Sequence, residues 1–483
     1  MISMFKQFFF ISPLLILSIS IVLNLFIIIH KRNFFLSFLT TLFGLIFSLF
    51  FFILLINNSN INLKYFLFFQ LSIFYVLLFF LGSIITCIIS YIWLRSKSFN
   101  KEEFYLLLLI SNIGGCLLFL CNNIFSLFIG IELLSLPLFG MISYDSSKNF
   151  KTLESAFKYF ILSSISSIFL LLGISLIYLS SGTLNFFILK SLVSFSMINF
   201  YVSFFFGLMF ILVSFFIKIT VFPFYFWIPD IYEVTSFPVL IYFSNSIKII
   251  FFVILSKLFF LFPYIDFLSV LKILKYIVFF SILIGSILAL FQKNIKRLIG
   301  YSSIVSSGYL LIILIFLYND NLFNEAARIY LLGYFLNSIV LFSSMTLISA
   351  FFKDKNSHSF KNYKGCFWKS YILSISIIIS LFSMIGFPLT IGFFSKFYLL
   401  RLVVENHNTL FGISILFESV ISLYYYINFI KIFFYKKKKY FINKLPIETN
   451  LYKFFKIVIF CLSLLIILIG FFPNFLKFLN YSV

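Results

Sequence analysis

Long apolar runs separated by short polar connections fill most of this chain. A helix needs about 20 apolar residues to cross the hydrocarbon core of a bilayer, and dividing the chain at its charged, Asn/Ser-rich and Pro/Gly positions gives about fourteen runs of that length. Because 63% of the residues are hydrophobic and 10% are charged, a soluble globular domain is excluded. We predict an all-α polytopic membrane protein, one domain over residues 1–483, with spans at 8–30, 34–56, 68–94, 104–120, 123–143, 157–180, 201–227, 237–262, 270–291, 301–318, 326–351, 370–400, 409–435 and 454–475.

The formal net charge of +22 does not indicate a nucleic-acid partner, because most Lys and Arg residues lie in the short connections between apolar runs. The connections after odd-numbered spans hold most of them, so the positive-inside rule predicts that both termini face away from the cytoplasm or matrix. We interpret the basic run 436–439 as an anchor that contacts anionic lipid of the bilayer. One inner connection, PDIYEVTSFP at residues 229–238, carries no basic residue and breaks the pattern.

Cysteine and histidine residues do not form the patterns typical of a redox or metal centre. The five cysteines include no C-x-x-C pair, and their spacings suit neither zinc nor an iron–sulfur cluster. The three histidines, His30, His358 and His407, lie at or beyond the ends of apolar runs, where they cannot bind haem within the membrane. We therefore predict that the chain itself binds no cofactor and no metal.

Charged side chains interrupt several of the apolar runs. Lys218, Lys248 and Lys396 each lie inside a predicted span, and Glu132 lies inside the fifth span as a candidate counter-charge. A lone ammonium at mid-membrane depth costs about 3 kcal/mol or more, so membrane proteins keep such residues mainly for a function. The pattern favours a path for protons over a simple membrane anchor.

Helix-breaking residues accompany two of these lysines. Pro223 follows Lys218 in the seventh span, and Pro388 and Gly392 precede Lys396 in the twelfth. A proline removes a backbone hydrogen bond, and freed backbone groups at membrane depth are tolerated only beside protein or water. We predict that both helices are broken beside hydrated cavities, where the two lysines exchange protons. A lysine near a helix end, whose amine reaches the membrane interface, stays open as the alternative for both.

Two further features bear on the same path. Lys248 follows the small polar residues 244–246, which suits a proton relay, whereas Lys257, nearer the outer end of that span, is interpreted as an interface anchor. Glu154 and Lys158 form an i,i+4 pair at the start of the sixth span. For that pair a role in proton transfer and a solvated helix cap stay open as alternatives.

Five segments together resemble the antiporter-like membrane subunits of respiratory NADH:quinone oxidoreductase, complex I. They follow one another from about residue 115 to 430 in the order of that family: IGIELLSLPLF, SAFKYFILSSISS, KITVFPFYFWIPDIYE, QKNIKRLIGYSSIVSSGYL and GFPLTIGFFSKFYLL. The resemblance implies about fourteen membrane helices with two inverted five-helix repeats and broken helices 7 and 12. It also implies other membrane-arm subunits as partners, including a neighbouring antiporter-like subunit, with FMN, iron–sulfur clusters and quinone on the partner subunits.

By the same resemblance, five residues match proton-transfer groups of the family in helices 5, 6, 7, 8 and 12: Glu132, Lys158, Lys218, Lys248 and Lys396. The implied function is proton translocation coupled to quinone reduction elsewhere in the complex. Glu132 stabilises protonated Lys218, and loss of that partnership sends the proton through Lys248. From there it passes to Lys396 and the outer face.

Two residues depart from the family pattern. Tyr225 stands where many relatives have His after the proline, and Glu418, inside the thirteenth span without a cationic neighbour in the sequence, stands where the residue is usually small. A subunit of a cation/proton antiporter or membrane-bound hydrogenase, and a non-pumping assembly scaffold, remain alternatives. A membrane acyltransferase is disfavoured because it needs a histidine inside a span. We expect a bacterial inner membrane, with the mitochondrial inner membrane as the alternative.

Overall fold

A computed structural model of the chain describes residues 2–57, 69–95, 97, 100–144, 150–194, 201–261, 267–317, 320–349, 360–435 and 450–472. Within these residues the regular structure is helical, apart from isolated β-bridge residues such as the pair Asn123 and Asn185. The basic run 436–439, predicted to contact lipid, and His358 lie outside the described residues. The prediction of an all-α chain is confirmed.

Eighteen α-helices are found in the described residues. The first eight are α1 (Ile2–His30), α2 (Phe34–Asn57), α3 (Phe69–Arg95), α4 (Glu102–Leu120), α5 (Ile124–Ile142), α6 (Phe150–Ser181), α7 (Phe186–Ser194) and α8 (Tyr201–Ile219). The other ten are α9 (Trp227–Val234), α10 (Phe237–Ser244), α11 (Ser246–Leu261), α12 (Phe267–Leu290), α13 (Ile295–Ile315), α14 (Asp320–Ser349), α15 (Tyr371–Ile385), α16 (Ile391–Glu405), α17 (Thr409–Phe434) and α18 (Asn450–Phe471). A short 3₁₀ helix, Phe360–Tyr363, precedes α15.

Within the described part of the chain, thirteen helical segments are long and apolar enough to cross a membrane, and α10 with α11 form one of them. The predicted twelfth span is instead a pair of 15-residue helices, α15 and α16. When this pair is taken as one broken span, every predicted span coincides with a helix or with two half-helices.

The seventh span ends earlier than predicted, at Ile219 rather than near residue 227. Thr220 has a φ of 69°, a left-handed conformation that a β-branched residue rarely adopts and that cannot continue a right-handed helix. The twelfth span is interrupted by two left-handed residues, Gly386 with a φ of 90° and Leu389 with a φ of 71°. The predicted breaks in helices 7 and 12 are therefore present, and the chain turns sharply at both.

The helices divide into two compact units, of which the first comprises Met1–Thr220 and Ser246–Ile273. In this unit α6 and α8 cross at two glycines. A Cβ added to Gly173 would lie 2.6 Å from the carbonyl oxygen of Gly207, and one added to Gly207 would lie 2.9 Å from the carbonyl oxygen of Gly173. Small residues allow such close backbone contact between membrane helices, and this packing holds α8, which carries Lys218, against α6.

The second unit comprises Val221–Asn245 and Leu274–Val483. Here α14 packs against α10, α15, α16 and α18. At the start of α16, a Cβ on Gly392 would lie 1.6 Å from the carbonyl oxygen of Ser383, so the two half-helices approach more closely than any side chain permits. This contact fixes the position of α16, which carries Lys396.

Candidate functional site

The first unit places Lys218 one residue before the end of α8, where the helix breaks. Its side chain is buried, and Nζ has no hydrogen-bond partner among the described residues. Glu132 of α5 acts electrostatically on this ammonium. One buried carboxylate oxygen of Glu132 and the hydroxyl of Thr220 also lack a partner within the described part of the chain.

Buried polar atoms in proteins are, with few exceptions, hydrogen-bonded to protein or to ordered water. Lys218, Thr220 and Glu132 each have one buried polar atom without a hydrogen-bond partner among the described residues. The structure places Glu132 close enough to Lys218 to act on its charge, but without a direct ion pair between these two described residues. A proton transferred between them would need an intervening group.

Lys248 is the third residue of α11, and its side chain is 7% exposed. Ser246, the first residue of that helix, is fully buried, and its hydroxyl has no partner among the residues described. A small polar group therefore lies one helical turn or less from the lysine, as predicted. Asn245, the residue between α10 and α11, accepts a hydrogen bond from Ser338 within the second unit instead.

Lys257 differs from the other lysines of these spans. Its amine donates hydrogen bonds to the carbonyl oxygens of Phe119 (2.7 Å) and Leu118 (3.4 Å), at the C-terminal end of α4. Helix ends leave carbonyl groups without partners, and a lysine there satisfies them. The sequence indicated that Lys257 is an interface anchor. In the structure its amine caps the C-terminal end of α4.

The second unit holds a direct ion pair that the sequence did not predict. The Lys396 amine lies 2.8 Å from Oε2 of Glu418 and donates a second hydrogen bond, at 3.0 Å, to the carbonyl oxygen of Ile385 at the end of α15. Tyr309 of α13 donates its hydroxyl hydrogen to the same carboxylate oxygen. The side chains of Lys396 and Glu418 are 12% and 5% exposed, so the pair lies almost out of contact with solvent.

A cavity of about 70 Å³ adjoins this ion pair and is lined by both Lys396 and Glu418. A cavity needs about 10–15 Å³ measured in this way to hold one water molecule, so this space accommodates several. Hydroxyl and amide groups form much of the remaining wall: Ser302, Ser306, Tyr309, Tyr330, Tyr334, Asn337, Ser338, Tyr425 and Tyr426. A cavity therefore lies beside Lys396, at the position where the sequence predicted a hydrated one, and its hydration stays a prediction.

The basic-poor connection after the seventh span is the helix α9. Arg297 of α13 forms ion pairs with Asp230 (2.9 Å) and Glu233 (3.4 Å) of this helix. Lys296 is almost fully buried, donates to the backbone carbonyl of Thr235 and lies 4.5 Å from the ring centre of Phe237. Two basic residues at the start of α13 therefore contact α9 and the residues that follow it.

The remaining predicted positions lie near the surface or in aromatic packing. Glu154 and Lys158 form the predicted ion pair at 2.8 Å, with side chains 62% and 42% exposed, unlike the buried lysines. Tyr225 is buried and its ring stacks on Phe226, with ring centres 4.2 Å apart. In the described residues, no group of three or more His, Cys, Asp or Glu side chains is arranged to hold a metal ion.

Comparison with known families and proteins gives a consistent result. Residues 121–422 match the family described as "NADH:quinone oxidoreductase/Mrp antiporter, TM". The chain is 38% identical over 477 residues to NADH-quinone oxidoreductase subunit N of Buchnera aphidicola subsp. Acyrthosiphon pisum, with 98% of each chain covered. It is 39% identical over 469 residues to the protein of the same name from Buchnera aphidicola subsp. Schizaphis graminum, with 96% of each covered.

Three solved structures share the fold. A chain of respiratory complex I from Thermus thermophilus with bound aureothin has a TM-score of 0.75 at 24% identity, covering 96% of this chain and 97% of that one. A chain of the archaeal membrane-bound sulfane sulfur reductase has a TM-score of 0.83 at 21% identity, covering 98% and 96%. A chain of the Mrp complex from a Dietzia species has a TM-score of 0.79 at 15% identity, covering 97% and 95%.

Proposed function

The chain belongs to the NADH:quinone oxidoreductase/Mrp antiporter family, and we propose that it is the proton-translocating membrane subunit N of a respiratory NADH:quinone oxidoreductase. Near-complete coverage of two relatives named as subunit N supports the choice of complex. The main observation in support of proton transfer concerns Lys218. Its amine is buried, has no partner among the described residues and interacts electrostatically with Glu132. A membrane anchor has no need for such a residue.

In the proposed mechanism this chain carries protons and no electrons. Partner subunits bind FMN, iron–sulfur clusters and quinone, and their reaction changes the charge and conformation of the membrane arm. In the first unit, Glu132 stabilises the protonated form of Lys218. When that partnership is lost, the proton moves towards Lys248. In the second unit, Lys396 is the group that delivers a proton to the outer face.

Each step needs a group that exists in two protonation states inside the membrane. A buried amine meets that need, because desolvation disfavours its charged form while a nearby carboxylate favours it. A change in the distance between Glu132 and Lys218 therefore changes which form of the lysine is stable. Water held at the break after α8 supplies the donors and acceptors that connect Lys218 to its neighbours.

Glu154 and Lys158 have a secondary place in this proposal. Both side chains are largely exposed on α6, in contrast to the buried lysines. A pair with this exposure suits the face of the chain that meets a neighbouring antiporter-like subunit. We place the complex in a bacterial inner membrane, because both relatives named as subunit N come from bacteria.

Co-purification tests the assignment to a complex. An affinity-tagged chain extracted from membranes in mild detergent should carry bound flavin and iron–sulfur clusters and should support NADH:quinone reduction. Sodium/proton exchange by a flavin-free assembly would show a cation/proton antiporter, and hydrogen evolution would show a membrane-bound hydrogenase. Either result would contradict the proposal.

A second experiment separates a proton-translocating subunit from an assembly scaffold. Lys248→Ala and Lys396→Ala are introduced, and the amount of intact complex on native gels is compared with NADH-driven proton uptake by inverted membrane vesicles. We expect normal assembly with strongly reduced proton uptake. A scaffold would lose both properties or keep both, and that outcome would overturn the proposed role.

A further inference from the structure

We infer that Glu418 is the proton-transfer partner of Lys396, so that the second unit works with a carboxylate–lysine pair rather than with a single lysine. This inference rests on the proposed function and adds a residue to it. The sequence suggested no role for Glu418, because no cationic residue lies near it in α17. Its partner comes from α16, the preceding helix.

The contacts of Glu418 concentrate on one carboxylate oxygen. Oε2 accepts hydrogen bonds from the Lys396 amine and from the Tyr309 hydroxyl, and the Lys396 amine is held from the other side by the carbonyl oxygen of Ile385. Hydrogen bonds to ionised groups are stronger than neutral ones and fix geometry. The lysine therefore stands between a carboxylate and the open end of a broken helix.

Stability alone does not explain an ion pair buried to this degree. Removing two charges from water costs several kcal/mol for each ion, and apolar residues of similar volume are often as stable or more stable. The side chains of Lys396 and Glu418 are only 12% and 5% exposed. Because apolar side chains can fill such a buried position at no such cost, a function is the better explanation of the pair.

The pair also has direct access to space for water. Both residues line the cavity of about 70 Å³, together with Tyr309 and other hydroxyl-bearing side chains. Several water molecules fit in that volume. In this proposal, water in the cavity is the group that takes the proton from Glu418.

The transfer conserves charge within the pair. One N–H bond of the Lys396 ammonium breaks and an O–H bond forms on Oε2 of Glu418, which converts ammonium and carboxylate into amine and carboxylic acid. The pair has zero net charge before and after this step, so no unpaired charge is created in a medium of low dielectric constant. The amine then takes a new proton from the inner side. Glu418 releases its proton to water in the cavity, and the ion pair is restored.

The central test replaces Glu418 with Gln, which keeps the size of the side chain and removes its ability to carry a proton. The matched control is Glu405→Gln, because Glu405 is an exposed residue of the neighbouring helix in an ion pair with Arg401. General acid–base groups contribute about 10²–10⁴-fold to a rate. We expect E418Q to lower NADH-driven proton uptake at least about tenfold in fully assembled complex, and E405Q to leave it unchanged.

Two further readouts separate proton transfer from simple anchoring of Lys396. The conservative variant Glu418→Asp should recover part of the proton uptake, because it retains a carboxylate that can be protonated. Redox-induced infrared difference spectra of the native complex should contain a carboxylic-acid C=O band that shifts in Glu418→Asp. If E418Q fails to assemble, these two measurements decide the question. A spectrum without such a band, or one that Glu418→Asp leaves unchanged, would overturn the inference.

The outcomes also distinguish this inference from the proposed function. If E418Q pumps as well as E405Q while Lys396→Ala does not pump, the role of Glu418 is refuted and the proposed function stands. If neither Lys218→Ala nor Lys396→Ala lowers proton uptake in assembled complex, the proposed function itself fails, and the inference fails with it.

Discussion

Glu132 acts electrostatically on Lys218, yet a carboxylate oxygen of the first and the amine of the second are both buried without a hydrogen-bond partner among the described residues. In the second unit, by contrast, Lys396 and Glu418 are in direct contact at 2.8 Å. The two units therefore hold a lysine and a carboxylate in different arrangements, one separated and one closed.

Glu132→Gln should reduce proton uptake by membrane vesicles without preventing assembly. The substitution keeps the shape of the side chain and removes the charge that favours protonated Lys218. We expect proton uptake to fall about tenfold or more, within the range of general acid–base effects. The matched control is Glu103→Gln, since Glu103 is half-exposed in a long contact of 3.8 Å with Arg32. Equal proton uptake by the two variants would remove Glu132 from the mechanism.

Gly392→Ala should prevent α15 and α16 from packing. A Cβ at this position would lie 1.6 Å from the carbonyl oxygen of Ser383, and a backbone atom cannot move aside without shifting the helix. We expect little or no assembled complex on native gels. Gly412→Ala is the control, because its Cβ would meet only Val403, at an ordinary distance of 3.8 Å. Normal assembly of the Gly392 variant would show that the two half-helices are not held as described.

Lys296→Ala should destabilise the second unit. The almost fully buried amine satisfies the carbonyl of Thr235 at the end of α9, and leaving a buried acceptor unpaired costs about 1–3 kcal/mol. Thermal unfolding of the purified complex should therefore start at a lower temperature. Lys293→Ala is the comparison, because Lys293 is exposed and lies just before α13, the helix that carries Lys296. If the contact with Thr235 contributed nothing, the two variants would start to unfold at the same temperature.

The positions of the spans could be predicted from the sequence because burial in lipid imposes a simple rule of length and polarity. The broken helices were predictable too, since Pro223 and Pro388 lie beside lysines in otherwise apolar runs. Lys218 and Lys248 are buried because each lies inside a long apolar run, and the same position made them conspicuous in the sequence. They have no short polar connection nearby into which their charge could be placed.

The ion pair of the second unit was missed because it joins two helices. Inspection of Glu418 within α17 finds no cation one turn away, whereas its partner lies on the antiparallel helix before it. A signal does exist in the spacing. Lys396 lies nine residues before the end of α16 at Glu405 (405 − 396), and Glu418 lies nine residues after the start of α17 at Thr409 (418 − 409). Equal distances from a short turn place both side chains at the same depth.

The contact of Lys296 with Thr235 could not be predicted from the sequence, for a different reason. This lysine stands among the basic residues that follow the ninth span, where the positive-inside rule accounts for every charge without further structure. The position of α9 over the start of α13 cannot be read from hydropathy. Gly300 reveals this packing only in the structure, since a Cβ there would lie 3.2 Å from the Cα of Pro229.

Proton uptake by inverted vesicles that carry Lys218→Ala tests the central claim most directly. The substitution removes the buried amine of α8, and Lys151→Ala, an exposed lysine of α6, serves as the matched control. With equal amounts of assembled complex in both preparations, we predict that NADH-driven proton uptake is largely lost with Lys218→Ala and unchanged with Lys151→Ala. Proton uptake at the control level in the Lys218 variant would contradict the account.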